Sequence, residues 1–451
     1  MTPANGPKRV LIYNDNAKRD LLGLRLLELA LNRRGVETRF CAPRLAKGQA
    51  LDFRPHALVA ARGDMDSARN FAKCCRVYVL PGEGGMLTKE TMLSVFMGRG
   101  YWKLDDCSWL ARCYLWNENT RKWLLDSSLF TEEQLKVVGT PKLDIYRDAE
   151  LMARLRQKGK RPFTLGVAFS AKTTSTYYGH PHFAKNYFDM HRDASFPITV
   201  EGGHLEDVIW RDHVILRRMM RYLKRYLETC DGPVVFRPSP FEDPREYSFL
   251  EKAFPGRVKV LPDQTLPEFL CSVDCLLTCW STVAIEALLL DIPVVSIAGT
   301  VGPRLFEHID SHASGFDSYV SFYHQPESED ALFDMLAQAR QGALPPSARS
   351  EGDVRELLHS IYNWSADIVA SEQIADDIIA DITRHEHDPY ADFGEVFPLR
   401  VPLPTKVALP LYHALALFEY FRSGAFSSYR SFFSNRHRGI EKLINMSRFA
   451  R

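Results

Sequence analysis

Short apolar runs alternate with helix-period stretches along most of the chain, and nothing else in the sequence constrains its fold as tightly. Such alternation specifies parallel sheets with helical crossovers, because parallel neighbours need long connections and bury both sheet faces. The first set of runs is Val10–Tyr13, Glu37–Cys41, Ala57–Ala61, Val77–Leu80, Cys113–Trp116 and Lys136–Val138. Lys18–Arg33 has helical period, with Leu22, Leu26, Leu29 and Leu31 in its apolar stripe and Gly35 as its stop. The polar, basic stretch Glu150–Arg161 interrupts the pattern. A second set follows: Phe163–Phe169, Val234–Phe236, Val258–Leu261, Cys275–Thr278, Val294–Ile297 and Tyr319–Phe322. Between its first two runs lies an insert, Ser170–Asp231, whose second half, Asp212–Glu228, reads as a helix. The expected fold is α/β: two doubly wound, Rossmann-like domains facing a cleft, followed by C-terminal helices. The expected domains are 1–155, 156–345, a pair of acidic helices at 346–400 that pack back on the body, and a basic aromatic tail at 401–451.

Charge separates these parts. The formal total is +1, from 57 basic and 56 acidic side chains, which argues against a dedicated nucleic-acid binder. Residues 351–400 hold 3 basic and 12 acidic side chains, and residues 401–451 hold 8 basic and 2 acidic. The first 350 residues therefore carry +4, since +1 = 4 − 9 + 6. The nine cysteines include no paired C-x-x-C motif, so a zinc ribbon is not expected. Cys271, Cys275 and Cys279 recur every four residues, but they span a helix end and a strand and read as small core residues. Reduced thiols suit the cytoplasm. Met1–Arg9 is polar, without the apolar core of a signal peptide. Leu276–Ala298 is the most apolar stretch, but Glu286, Asp291 and Pro293 make it strand–helix–strand rather than a membrane span.

In open α/β sheets ligands sit beyond the carboxyl ends of the strands, so the residues after each strand are the site candidates. Asn14-Asp15-Asn16-Ala17-Lys18-Arg19 follows the first strand. Pro81-Gly82-Glu83-Gly84-Gly85 follows the fourth: either a plain turn, or a loop that holds up Glu83 as a general base or nucleophile. Arg237 stands at a strand tip before Pro238-Ser239-Pro240, suited to a phosphate or carboxylate, or to a salt bridge between domains. Ser281 or Thr282 falls at the N-cap of Val283–Leu290, where free backbone N–H groups favour an anion if they do more than cap. Glu286, one turn further in an apolar helix, is expected to accept a hydrogen bond from a ligand hydroxyl. Asp64-Met65-Asp66 resembles a metal-binding Asp-x-Asp, but the second α/β domain that follows argues against that use. His180-Pro181-His182 lies in the insert, and His385-Glu386-His387 ends an acidic helix. No dinucleotide fingerprint, phosphate loop or nucleophile elbow is present.

Four segments carry a resemblance. Cys279-Trp280-Ser281-Thr282-Val283-Ala284-Ile285-Glu286-Ala287-Leu288 with Ile292-Pro293-Val294-Val295-Ser296 resembles the donor-site segment of GT-B glycosyltransferases of bacterial surface polysaccharide. Val235-Phe236-Arg237-Pro238-Ser239-Pro240-Phe241-Glu242 resembles the Arg-Pro-His-Pro-x-Glu motif of the surface carbohydrate biosynthesis proteins, with Ser239 in place of the histidine. Val138-Gly139-Thr140-Pro141-Lys142-Leu143-Asp144 resembles their Gly-Asn-Pro-Arg-x-Asp segment, and Gly82-Glu83-Gly84-Gly85 their Glu-Glu-Gly loop. The motifs keep the family's order between about residue 8 and residue 300.

The resemblance implies transfer of a sugar from a nucleotide donor to a surface glycan or its lipid-linked precursor, in capsule or lipopolysaccharide synthesis, with cytidine-monophosphate-activated 3-deoxy-octulosonate or nonulosonate among the donors. Arg237, Lys172, Ser170, Ser281, Thr282 and Glu286 form the implied donor set, stabilising the departing phosphate without a metal or other cofactor. Glu83 or Asp15 acts at the anomeric carbon, and Lys18 or Arg19 pairs with a donor carboxylate if there is one. Alternatives are a sugar-nucleotide epimerase or polyol-phosphate transferase on the same scaffold, or a non-catalytic glycan-binding scaffold. Val407, Leu411, Leu415 and Phe418 fall near one helical face in the tail, where nine aromatics mix with arginines. Such a segment suits the anionic cytoplasmic face of the inner membrane, or packing on its own domain or a sister subunit.

Overall fold

The computed structural model describes residues 6–14, 20–41, 46–60, 66–82, 89, 107–156, 161–171, 174, 205–239, 242, 244–279, 281–301, 320–365, 367–397 and 438–450. The chain divides into two compact units. Met1–Gly85, Lys89–Arg147 and His359–Arg451 form the first, and Met86–Thr88 with Asp148–Leu358 the second. The break thus falls at Arg147, just before the expected Glu150–Arg161 boundary, and the Ala149–Arg156 helix belongs to the second unit.

Unit 1 is built on six parallel strands: β1 (Arg9–Tyr13), β2 (Glu37–Cys41), β3 (Ala57–Ala60), β4 (Arg76–Val79), β5 (Arg112–Leu115) and β6 (Leu135–Val137). Their order is β2-β1-β3-β4-β5-β6. Unit 2 has five: β7 (Leu165–Val167), β8 (Val234–Phe236), β9 (Val258–Val260), β10 (Cys275–Thr278) and β11 (Val294–Ser296), in the order β11-β10-β7-β8-β9. Every pairing is parallel. β3, β5 and β10 are buried at every residue, the pattern of strands covered on both faces. The two-domain α/β architecture read from the sequence is the architecture observed.

Among the described residues of the expected strand Tyr319–Phe322, none is in a strand. Val320 is helical and Ser321 and Phe322 form a turn, and the pairing passes to His324, which bridges Val295. The turn consumes the backbone a ladder would need: Tyr323 N donates to Val320 O at 3.0 Å, and Ser347 Oγ donates to Phe322 O at 2.8 Å.

The acidic segment finds its counter-charge inside unit 1. Helix α1 (Leu21–Arg33) packs against the sheet with Leu24, Leu27, Ala30 and Leu31 buried, beside a later helix, Ala370–Arg384, that buries Ile374, Ala375, Ile378 and Ile382 in the same core. Arg76 and Tyr78 of β4, Arg112 and Tyr114 of β5 and Lys136 of β6 meet Asp377 and Asp381 of that later helix. Alternate strand residues share a face, and i, i+4 helix residues share a side, so the two sets come together as rows. Glu372 and Asp376, on the flank of the same helix, pair with Arg33 at the end of α1 and with Arg34 just beyond it.

The end of the chain also belongs to unit 1. Residues 438–446 are helical, and Ile440, Leu443, Ile444 and Phe449 are buried. Glu441 pairs with Arg25 of α1, and Arg33 donates to Phe449 O. For 438–450 this corrects the expectation of a membrane-facing tail: its apolar side is consumed by its own unit. Residues 401–437 lie outside the described residues. Among the described residues no helix is long and apolar enough to cross a membrane.

Candidate functional site

The strand order of unit 2 reverses between β7 and β10. The connections leaving β7 and β10 therefore run to opposite sides of the sheet, and the crevice between them is where doubly wound sheets bind ligands. Three of the expected donor residues stand on adjacent strand tips around this point. Ser170 lies three residues beyond β7 and is half-buried. Arg237 directly follows β8, its N–H donating to Val167 O at 2.9 Å, and is 6 % exposed. Ser281 lies three residues beyond β10. Lys172, expected with Ser170 on the loop after β7, lies outside the described residues.

Helix Val283–Leu288 starts where expected but is capped differently from a simple Thr282 N-cap. Thr282 is already helical (φ −62°, ψ −18°), and its side chain makes no capping bond. Ser281 takes that part: its Oγ accepts from Val283 N at 3.3 Å and its carbonyl accepts from Ala284 N at 3.1 Å. Glu286 is 4 % exposed on this helix. Ser296, at the end of β11, donates to Cys279 O at 2.7 Å and so ties the β10 loop to the neighbouring strand. The cysteine ladder is spread over separate elements: Cys271 ends a helix, Cys275 opens β10 and Cys279 follows it. Burial pushes the thiols of Cys275 and Cys279 up to about 12. They are core thiols rather than nucleophiles. Among the described residues no group of three or more His, Cys, Asp or Glu is arranged to hold a metal ion.

Glu242 is the site residue not singled out from sequence. It is 1 % exposed, and its two carboxylate oxygens accept from Ala171 N at 2.5 Å and Ser239 N at 2.8 Å. One carboxylate thus clasps the loops after β7 and β8. Tyr247, buried beneath, also hydrogen-bonds to it. Burial is the main cause that pushes the Glu242 carboxyl up to about 7, with Asp212 and Glu246 adding like charge against the pull of the two amides. The available signal was the glutamate closing the Arg237-Pro-Ser-Pro-Phe-Glu242 run.

In unit 1, Asp15, Lys18, Arg19, Asp64, Met65 and Glu83 lie outside the described residues, and in unit 2 so does the His180-Pro181-His182 segment. Chain neighbours of Arg19 and Glu83 line a shallow, open depression, formed by Asp20, Gly23 and Leu24 at the α1 start, Leu80–Gly82 after β4 and Thr140–Lys142 after β6. Trp116 Nε1 donates to Pro81 O at 3.0 Å, fixing the segment that leads into Glu83. A Cβ on Gly23 would sit 2.8 Å from Lys142 N, so only glycine lets α1 approach that segment. Asp144, at the end of the same segment, accepts from Ala370 N at 3.0 Å and Ser371 N at 2.8 Å, capping the acidic Ala370–Arg384 helix from a distance. His385 at that helix's end pairs with Asp388 at 2.7 Å.

No family model and no curated protein sequence matches this chain. Solved structures match its fold. The wall teichoic acid polymerase TagF aligns with a TM-score of 0.52 at 12% identity, covering 84% of this chain and 90% of that one. A histidine-to-asparagine form of TagF soaked with CDPG aligns at 0.51 and 11% identity, covering 84% and 89%. A UDP-GlcNAc 2-epimerase from Methanocaldococcus jannaschii, in complex with UDP-GlcNAc and UDP, aligns at 0.45 and 12% identity, covering 83% and 99%. Two parallel sheets of six and five strands, each wound with helices, and the match to TagF give this chain the GT-B fold.

Proposed function

We propose that this chain is a glycosyltransferase that moves a sugar from a nucleotide donor onto a surface glycan or its lipid-linked precursor. The observation that carries the reading is the row of Ser281, Ser170 and Arg237 on three adjacent strand tips at the unit 2 switch point. Arg237 supplies a fixed positive charge for the departing phosphate, with Lys172 and the hydroxyls of Ser170, Ser281 and Thr282 beside it. Glu286 accepts from a donor hydroxyl. Glu83 or Asp15 acts at the anomeric carbon, and Lys18 or Arg19 meets a donor carboxylate. The proposed donors are cytidine-monophosphate-activated 3-deoxy-octulosonate or nonulosonate sugars. The chemistry needs no metal, because protein cations carry the charge. The enzyme works at the cytoplasmic face of the inner membrane, with the basic, aromatic stretch 401–437 reaching the lipid-linked acceptor.

A second reading is polyol-phosphate transfer, favoured by the fold shared with a wall teichoic acid polymerase. A thermal-shift panel of CMP, CDP, UDP and GDP separates the readings. Stabilisation by CMP alone supports an acidic-sugar donor, and stabilisation by CDP in preference to CMP supports polyol-phosphate transfer. Absence of any nucleotide effect refutes the enzyme reading in favour of a scaffold.

A further inference from the structure

We infer that Glu242 is a positioning residue for the donor site, setting the spacing between the loop that carries Ser170 and the loop that carries Arg237. The inference rests on the nucleotide-donor reading above. Its basis is the geometry of one buried carboxylate. Oε1 accepts from Ala171 N, one residue beyond Ser170, and Oε2 accepts from Ser239 N, two residues beyond Arg237. The clasp closes on itself, since Glu242 N donates to Ser239 O at 3.0 Å. The first loop is held further by Thr174, whose N–H and hydroxyl both donate to Ala171 O, at 3.0 and 2.7 Å.

A hydrophobic contact at this place would fill space without fixing two amides. A carboxylate has an acceptor for each N–H, and such charge-assisted bonds are short and directional. The environment makes this costly. Glu242 is 1 % exposed and Asp212, also 1 % exposed, acts on it as a like charge, as does Glu246. Asp212 is in turn held by Arg211 at 3.0 Å, and the Tyr247 hydroxyl supplies Glu242 with a further bond. A buried acid kept among like charges is poor use of a core position unless its geometry serves the loops it joins. Those two loops carry two of the three strand-tip residues proposed to meet the donor phosphate.

The test is a double-mutant cycle on nucleotide affinity, with CDP and UDP as probes, measured by titration calorimetry on the full chain. Glu242→Gln keeps the shape but turns an NH₂ group toward one of the two amides. Glu242→Asp, one methylene shorter, serves if the glutamine form does not fold. Arg237→Lys keeps charge at the strand tip while losing the fork. If Glu242 acts through the position of Arg237, each single change weakens binding about 10-fold and the double change about 20-fold rather than about 100-fold. Losses that multiply fully, or a folded Glu242 variant that binds like the unaltered chain, would overturn the inference while leaving the nucleotide reading intact. An unaltered chain that binds neither probe overturns the nucleotide reading itself, and the inference with it.

Discussion

Asp381 accepts a 2.7 Å hydrogen bond from the hydroxyl of Tyr78, joining the acidic Ala370–Arg384 helix to the centre of the unit 1 sheet across 303 residues of sequence. Arg76 Nε donates to the same oxygen at 2.8 Å, and Arg112 lies 3.4 Å from the other. Burial alone would push this carboxyl up, but the tyrosine and the two guanidiniums more than offset it and hold it below the usual carboxylate range. The strongly acidic segment is therefore an internal clamp.

Asp381→Ala leaves Arg112, Arg76 and Tyr78 facing a void, and removing one partner from a buried charged cluster costs about 3 kcal/mol. Urea unfolding should show unit 1 losing roughly that much while unit 2 is unchanged. The depressed pKa adds a pH signature. Asp381's contribution is present above its ordinary value of 3.8 and is lost as the pH falls below it. The difference between the unaltered chain and Asp381→Asn should shrink on acidification below pH 4.

Glu242 and Asp144 behave oppositely. Burial raises them to about 7 and about 6, from 4.5 and 3.8. The stability tied to each is full below its unfolded value and declines as the pH rises through the folded value. Shifts of this size are worth about 3 kcal/mol each as an order of magnitude. Between pH 4 and pH 7.5 the chain should lose stability, and Glu242→Gln should flatten the part of that decline seen in unit 2. A slope equal to that of the unaltered chain would rule this out.

Gly23→Ala ordinarily stabilises a helix by about 1 kcal/mol. Here the added methyl would stand 2.8 Å from Lys142 N, a backbone atom with nothing flexible to give way. The expected outcome is a net loss of about 1–3 kcal/mol, since overpacking costs that much. Thermal denaturation reads the sign directly.

Leu443→Ala tests the placement of the chain's end. Leu443 is fully buried against unit 1, so the change should cost about 2–5 kcal/mol, as large-to-small core substitutions do. An exposed, membrane-facing leucine would cost almost nothing in the absence of lipid.

The alternating runs make the two parallel sheets legible in the sequence, because parallel strands and crossover helices leave distinct periodicities. Arg237, Ser170 and Ser281 could be placed at strand tips for the same reason: a tip position follows from where a strand stops. The Asp377 and Asp381 clamp could not, because its partners come from three strands 241 to 305 residues away and look like ordinary strand residues one by one. Residues 438–450 are misleading in sequence because an amphipathic basic helix has the same pattern whether its apolar side meets lipid or protein. Glu242 and Asp144 close two of the motifs read from the sequence, but their part as acceptors for backbone amides could not be read there, because amides carry no sequence signal.

The central claim is a nucleotide site on the strand tips of unit 2, and amide hydrogen exchange with and without saturating CDP or UDP tests it most directly. The account predicts slower exchange in peptides covering 168–171, 237–239 and 281–286, abolished by Arg237→Ala. Protection absent from all three, or confined to unit 1, would contradict it.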